Sequence, residues 1–157
     1  VLDIGAGYCE FINNIRCGEK FAVDLNRDTP SFANSDVKVI NSLSTDLGFF
    51  PNNFIDRVFM SNFLEHLGSK QEVLKTFVEI YRILKVGGKV ITLHPNIKYV
   101  YKEYWDYFDH HIPLTDKSIA EGFEVAGFEV ELSIDRFLPY TIKSKIPKPI
   151  PKINWNR

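Results

Sequence analysis

The chain opens with an apolar run, Val1 to Ile4, that passes directly into a turn carrying Gly5 and Gly7. A strand that leaves a sheet through a glycine corner constrains a fold strongly. The backbone there takes torsions that a Cβ resists, and it passes close to whatever binds at the sheet's carboxyl edge. A second apolar run, Phe21 to Val23, closes on Asp24. A carboxylate after the second strand can accept both hydroxyl protons of a ribose, so turn and acid together outline a site for an adenosyl cofactor. Glycines also serve purely structural corners, so the weight of this reading falls on the rest of the chain.

Further short apolar runs follow at Val37 to Ile40, Ile55 to Met60, Val90 to Leu93 and Phe128 to Ile134, separated by helical or loop stretches. That alternation predicts an α/β fold, a doubly wound and mostly parallel sheet covered by helices. Between Lys70 and Leu84, residues Val73, Leu74, Phe77, Val78, Tyr81 and Leu84 recur at helical spacing and predict one apolar stripe. Lys85 to Lys89, with Gly87 and Gly88, is expected to stop that helix with a left-handed cap and turn the chain into the next strand.

The glycine turn lacks a dinucleotide signature. Gly7 is followed by Tyr8, Cys9 and Glu10 where a third glycine would stand, and an acid at the helix entrance repels a pyrophosphate. A nicotinamide dehydrogenase is disfavoured on both counts. Asp3, two places before Gly5, makes the turn resemble motif I of the class I S-adenosylmethionine-dependent methyltransferases, with Cys9 at the place of that motif's usual third glycine. Two later blocks extend the resemblance in family order. Phe49 to Leu67 looks like the fourth-strand region, and Arg82 to Gly88 looks like the segment before strand five, with Val86 at a usual proline.

The resemblance implies a Rossmann-like sheet of the class I type and S-adenosyl-L-methionine as cofactor. It also implies that Asp3 and the turn backbone at Gly5, Ala6 and Gly7 face the methionine part, and that Asp24 holds the ribose. Leu25 would pack on adenine, with Asn41 and Ser42 near the adenine edge, and Asp46 is the acid available in that loop. Asn62 and Phe63 would face the transferable methyl. Glu65 and His66 would follow at the start of a helix, where His66 reads equally well as a packed structural residue.

The loop beyond strand five is dense in polar aromatics: His94, Pro95, Asn96 and Tyr99, then Tyr104 to Thr115 with Asp109, His110 and His111. Such residues are costly to bury without partners and suggest a lid or acceptor pocket, the plainer alternative being a packed aromatic loop. The stretch also resembles a bacterial subgroup of methyltransferase-like proteins associated with sugar and polysaccharide genes. In-line methyl transfer needs an aligned acceptor and, for a hydroxyl, a base. His94, His110 or His111 is expected to serve as that base, with Asp109 as an orienting carboxylate. No metal site is expected, because His110 and His111 with Asp109 have no third ligand at a metal-binding spacing. The segment after strand four, Ser61 to Leu64, lacks the Asn/Asp-Pro-Pro-aromatic pattern of enzymes that methylate nucleobase or glutamine nitrogens, and no Pro-Cys nucleophile for cytosine is present. A small-molecule, glycan or lipid-type acceptor remains, with a catalytically inactive cofactor-binding or scaffold domain as the alternative.

At 157 residues and 45% hydrophobic, the chain can bury the core of a single domain. A net charge of -1 sets up no field for nucleic acid, so no nucleic-acid partner is expected. No long apolar stretch predicts a membrane span and no signal-peptide pattern is present, so a cytoplasmic setting is expected. Cys9 and Cys17 are expected as small buried residues. Residue 1 is Val, within a strand, and Pro147, Pro149 and Pro151 cannot pair in a central strand, so a partial chain with an incomplete sheet is expected. The domain is expected over residues 1–142. A Pro/Lys-rich segment follows at 143–157, where Lys143, Lys145, Lys148, Lys152 and Arg157 make a solvated linker or a weak anionic contact.

Overall fold

Val1 to Ile4 forms the middle of the sheet because its neighbours on both sides are apolar in register. In the computed structural model, which describes residues 1–137, β1 (Leu2–Ile4) lies between β2 (Lys20–Asp24) and β4 (Ile55–Ser61). β3 (Val37–Asn41) flanks β2 and β5 (Leu84–Leu93) flanks β4, giving five strands in the order β3-β2-β1-β4-β5, all parallel. The predicted doubly wound α/β fold is therefore observed. The tail at 143–157 and the end of the 1–142 span lie outside the described residues.

Register explains the two cores. Leu2 aligns with Phe21 and Val58, and Ile4 with Val23 and Met60, so these side chains share one face. They pack under α3 (Lys70–Ile83) and α5 (Asp116–Val125), where Phe77 stacks on Phe123 at 3.9 Å. The opposite face carries Asp3, Ala22 and Phe59. Ala22 leaves room there for α1 (Glu10–Asn14), with Ile12 and Cys9 buried in the same cluster and Phe11 stacked on Phe59 at 3.7 Å.

Ser69 caps α3 by accepting the Glu72 N–H, and Thr115 and Ser118 form a capping box on α5. The buried face of α3 runs through Val73, Thr76, Phe77, Ile80 and Ile83, while Val78 and Tyr81 are exposed. The stripe is rotated from the predicted one because Thr76, polar by type, is buried through a hydroxyl contact with Ser44 at 2.8 Å. α3 ends at Leu84 in an extended conformation, and the positive φ of Gly87 lies inside β5, so no left-handed cap forms. The strand expected at Phe128 to Ile134 makes no ladder. Its residues are held to their surroundings by side chains instead, including Glu131 on Lys89 at 2.6 Å. Cys9 is buried as expected, but Cys17 is exposed, because α1 ends before it.

Candidate functional site

The loops that matter leave the carboxyl ends of β1, β2, β4 and β5. After β1 the chain turns through Gly5 at φ 70° and Gly7 at φ 49°, left-handed torsions suited to glycine. Cys9 takes the same left-handed backbone at φ 59° without being glycine. The Gly5 N–H donates to Val23 O, and the Gly7 N–H donates to Asp24 Oδ2 at 2.7 Å. Asp24 Oδ1 accepts from the Asn26 N–H, also at 2.7 Å, and the Asn41 amide donates to the Asp24 carbonyl. Turn and acid, separate in sequence, are thus one hydrogen-bonded unit. Leu25 is exposed beside it. The Ser42 hydroxyl donates to Asp46 O, while the Asp46 carboxylate accepts from Gly48.

Asp3 lies beneath this turn, only 3% exposed. Burial pushes its carboxyl up to about 7, the Ile12 backbone offsets part of that, and the nearby Asp24 charge adds to it. A buried acid of this kind is poised to gain from a cationic neighbour. Phe63, after β4, lays its ring against Gly5: a Cβ there would meet Phe63 Cδ2 at 2.4 Å. Asn62 takes φ 47° just before it and is exposed.

A second group gathers at the ends of β4 and β5. Glu65 and His66 belong to a 3-10 turn, Leu64–His66, that follows β4. Glu65 is 1% exposed. Its Oε2 lies 3.2 Å from Nδ1 of the equally enclosed His94, yet off the line of a hydrogen bond, so neither atom has a hydrogen-bond partner. Chain 104–112 closes over them. The His111 and Ile112 N–H groups donate to the Glu65 carbonyl, and the fully buried Tyr104 donates its hydroxyl to Ile112 O. His110 packs among Tyr104, Tyr107 and His66, with its Nδ1 buried and unpartnered. His66 Nδ1 faces Asp109, 3.0 Å from its carbonyl and 3.3 Å from Oδ2.

Of the residues expected to work on the acceptor, His94 and His110 are brought to this group. The side chain of His111 is exposed and only its backbone reaches inward, while Asp109 addresses His66 instead. Glu65 and His66 are the additions. Their signal in the sequence was an acid and a histidine directly after strand four, and only the return of 104–112 over that strand end makes them neighbours of His110.

A left-handed turn through Gly5 and Gly7, an acid bonded to that turn, and the buried carboxyl of Asp3 two residues before it suit an adenosyl cofactor with a cationic tail. Fold and site together define the class I S-adenosylmethionine-dependent methyltransferase type. The methyltransferase domain family matches residues 2–92, and the chain belongs to that family. S-adenosyl-L-methionine is the cofactor of the class. Among solved structures, a SAM-dependent methyltransferase from Archaeoglobus fulgidus is similar at 26% identity and TM-score 0.72, over 82% of this chain and 60% of that one. A complex from Haloferax volcanii that contains the Trm112 methyltransferase activator matches at 18% identity and TM-score 0.71, over 95% and 71%. The [4+2]-cyclase SpnF matches at 19% identity and TM-score 0.69, over 83% and 50%. The last two likenesses concern the fold alone. This chain thus spans about 60% of the length of the Archaeoglobus protein. Among curated proteins, no sequence is significantly similar. No helix among the described residues is long and apolar enough to cross a membrane.

Proposed function

We propose that this chain transfers a methyl group from S-adenosyl-L-methionine to a hydroxyl of a small-molecule, glycan or lipid-type acceptor. The observation that carries the reading is the bond between Gly7 and Asp24, which joins the glycine turn to the carboxylate at 2.7 Å. In this reading Asp24 holds the ribose, and Gly5, Ala6 and Gly7 offer backbone to the methionine part. Asp3 faces the cationic ammonium, Leu25 lies on adenine with Asn41 and Ser42 at its edge, and Asn62 and Phe63 border the methyl.

When bound, the cofactor supplies an electrophilic methyl on sulfur: the acceptor oxygen bonds to that carbon, the carbon–sulfur bond breaks, and its electron pair stays on sulfur. The chain's own residues align the acceptor and take up its proton. His94 is assigned as the proton acceptor because its ring nitrogens are unpartnered beside Glu65. His110 lines the same space. Residues 1–142 act as one methyltransferase domain, with 143–157 as an appended segment, in a cytoplasmic setting without a nucleic-acid partner.

Calorimetric titration with S-adenosylhomocysteine tests the cofactor half. Micromolar binding that is lost in Asp24→Ala is the expected result, and no binding by a folded wild type sinks it. For the acceptor half, His94→Ala and His110→Ala should lower turnover at least about 100-fold, while His111→Ala, whose side chain is exposed, should not. Unchanged turnover in all three, with cofactor binding intact, would defeat the assignment. A second reading, a cofactor-binding domain without transfer, is favoured by Cys9 in a left-handed backbone where the motif has glycine. Turnover on any acceptor removes it.

A further inference from the structure

We propose that Glu65, His66 and His110 hold a divalent transition-metal ion of the zinc type at the acceptor edge of the sheet. One donor atom from each of the three lies within 4.8 Å of the others. A carboxylate and two imidazoles are a donor set that zinc takes in catalytic sites, with a fourth position left open. Binding would draw the donors inward by roughly 1 Å, since bonds near 2.1 Å set them about 3.4 Å apart. His66, with about a third of its side chain exposed, has room to make that movement.

Two independent features point to a cation. The first is the set of orphaned polar atoms: Glu65 Oε2, His110 Nδ1 and both ring nitrogens of His94 are buried without a hydrogen-bond partner. A carboxyl group 1% exposed, with Oε2 lacking a hydrogen bond among imidazole nitrogens that also lack one, is costly to bury, and a bound cation would complete all of them. The second is the outer shell. Metal-bound histidines commonly donate their other ring N–H to a carbonyl or carboxylate, which fixes the tautomer. His66 is arranged that way, its Nδ1 set against Asp109 O at 3.0 Å and Asp109 Oδ2 at 3.3 Å, so Nε2 keeps its lone pair for the ion. His94 Nδ1 lies 3.2 Å from Glu65 Oε2, close enough to support that carboxyl group though outside hydrogen-bond geometry.

The ion's role rests on the methyl-transfer reading, whereas its binding does not. In that reading the acceptor hydroxyl would bind through oxygen at the open position, where the ion would raise its acidity and its proton would pass to His94 as the oxygen attacks the methyl carbon. An oxygen-rich acceptor, such as a sugar bearing adjacent hydroxyls, suits this arrangement.

The test is titration of the chelator-treated full chain with Zn2+ by calorimetry and with Co2+ by visible absorption, for wild type, Glu65→Gln, His66→Gln and His94→Ala. S-adenosylhomocysteine binding and a thermal melt are measured on the same samples. The expected result is one ion per wild-type chain, binding lost in Glu65→Gln and His66→Gln, and affinity about 10–100-fold weaker in His94→Ala. No ion on a folded wild type, or unchanged affinity in His66→Gln, overturns the site. Should Glu65→Gln fail to fold, the partly exposed His66 still carries the test. Ion binding without homocysteine-cofactor binding would strike the methyltransferase reading and leave the metal site standing; the reverse pattern would strike the metal site alone.

Discussion

At the ends of β1 and β2, Asp24 places both carboxylate oxygens on backbone N–H groups at 2.7 Å. At the ends of β4 and β5, Glu65 and His94 approach to 3.2 Å without forming a hydrogen bond, and His110 Nδ1 is likewise left without a partner. The first region is finished by its own backbone; the second is assembled from side chains that await something else. Buried polar groups are nearly always hydrogen-bonded, as Ser44 and Thr76 are across 32 residues, so a buried cluster left without partners stands out as a place shaped for something else. The difference separates a part of the site held by chain geometry from a part held by its contents.

Substitutions should therefore act differently in the two regions. The largest effect is expected at Asp3, beneath the turn. Its folded pKa of about 7 lies above the ordinary 3.8, so between those values the folded chain holds a proton that the unfolded chain releases. Stability is then fullest below about pH 4 and falls as pH rises through 7, by roughly 4 kcal/mol across the window. Asp3→Asn should flatten the profile, as denaturant melts from pH 4 to 8 would show; an unchanged profile would remove the burial argument. Gly5→Ala comes next. The added Cβ meets the root of the Phe63 ring, with Cδ2 at 2.4 Å and Cγ at 2.8 Å, on a backbone at φ 70°. About 3 kcal/mol of stability should be lost.

Asp24→Ala should weaken S-adenosylhomocysteine binding about 100-fold, the worth of charged hydrogen bonds to a ribose. Equal affinity for the variant would detach the acid from the cofactor. On the other side of the comparison, Glu65→Gln should leave the stability of metal-free protein within about 1 kcal/mol, because the buried Oε2 makes no hydrogen bond that the change could remove. Destabilisation beyond that would mean the carboxylate is already satisfied, and the contrast between the regions would collapse. The smallest loss is expected at Gly7→Ala, about 1 kcal/mol by thermal melt, since φ 49° is strained for alanine but nothing lies within 4 Å of the new Cβ.

Much of the fold was legible because apolar runs of strand length alternate with an amphipathic helix. Parallel strands buried on both faces read as continuous apolar segments, as Phe21 to Val23 and Val58 to Met60 do. The glycine turn and Asp24 were legible for a related reason: backbone torsion and the place after a strand are local properties. Other features were not. The face of α3 shifted because Thr76 found a buried hydroxyl partner in Ser44, a contact across 32 residues. The segment at Phe128 to Ile134 has the composition of a strand yet forms no ladder, since pairing depends on a neighbour's edge as well as on propensity.

The sequence alone determined the strand order's raw material, the left-handed turn at Gly5 and Gly7, and the acid that meets it, because each follows from steric and hydrogen-bonding rules acting over a few residues. Only the tertiary structure decided that Glu65 and His66 stand beside His110, that His94 is sealed against Glu65, and that the His111 side chain is left outside. Those placements depend on how chain 104–112 folds back over the ends of β4 and β5. That path is set by the burial of Tyr104, Ile112 and Leu114, and the spacing of the histidines does not encode it.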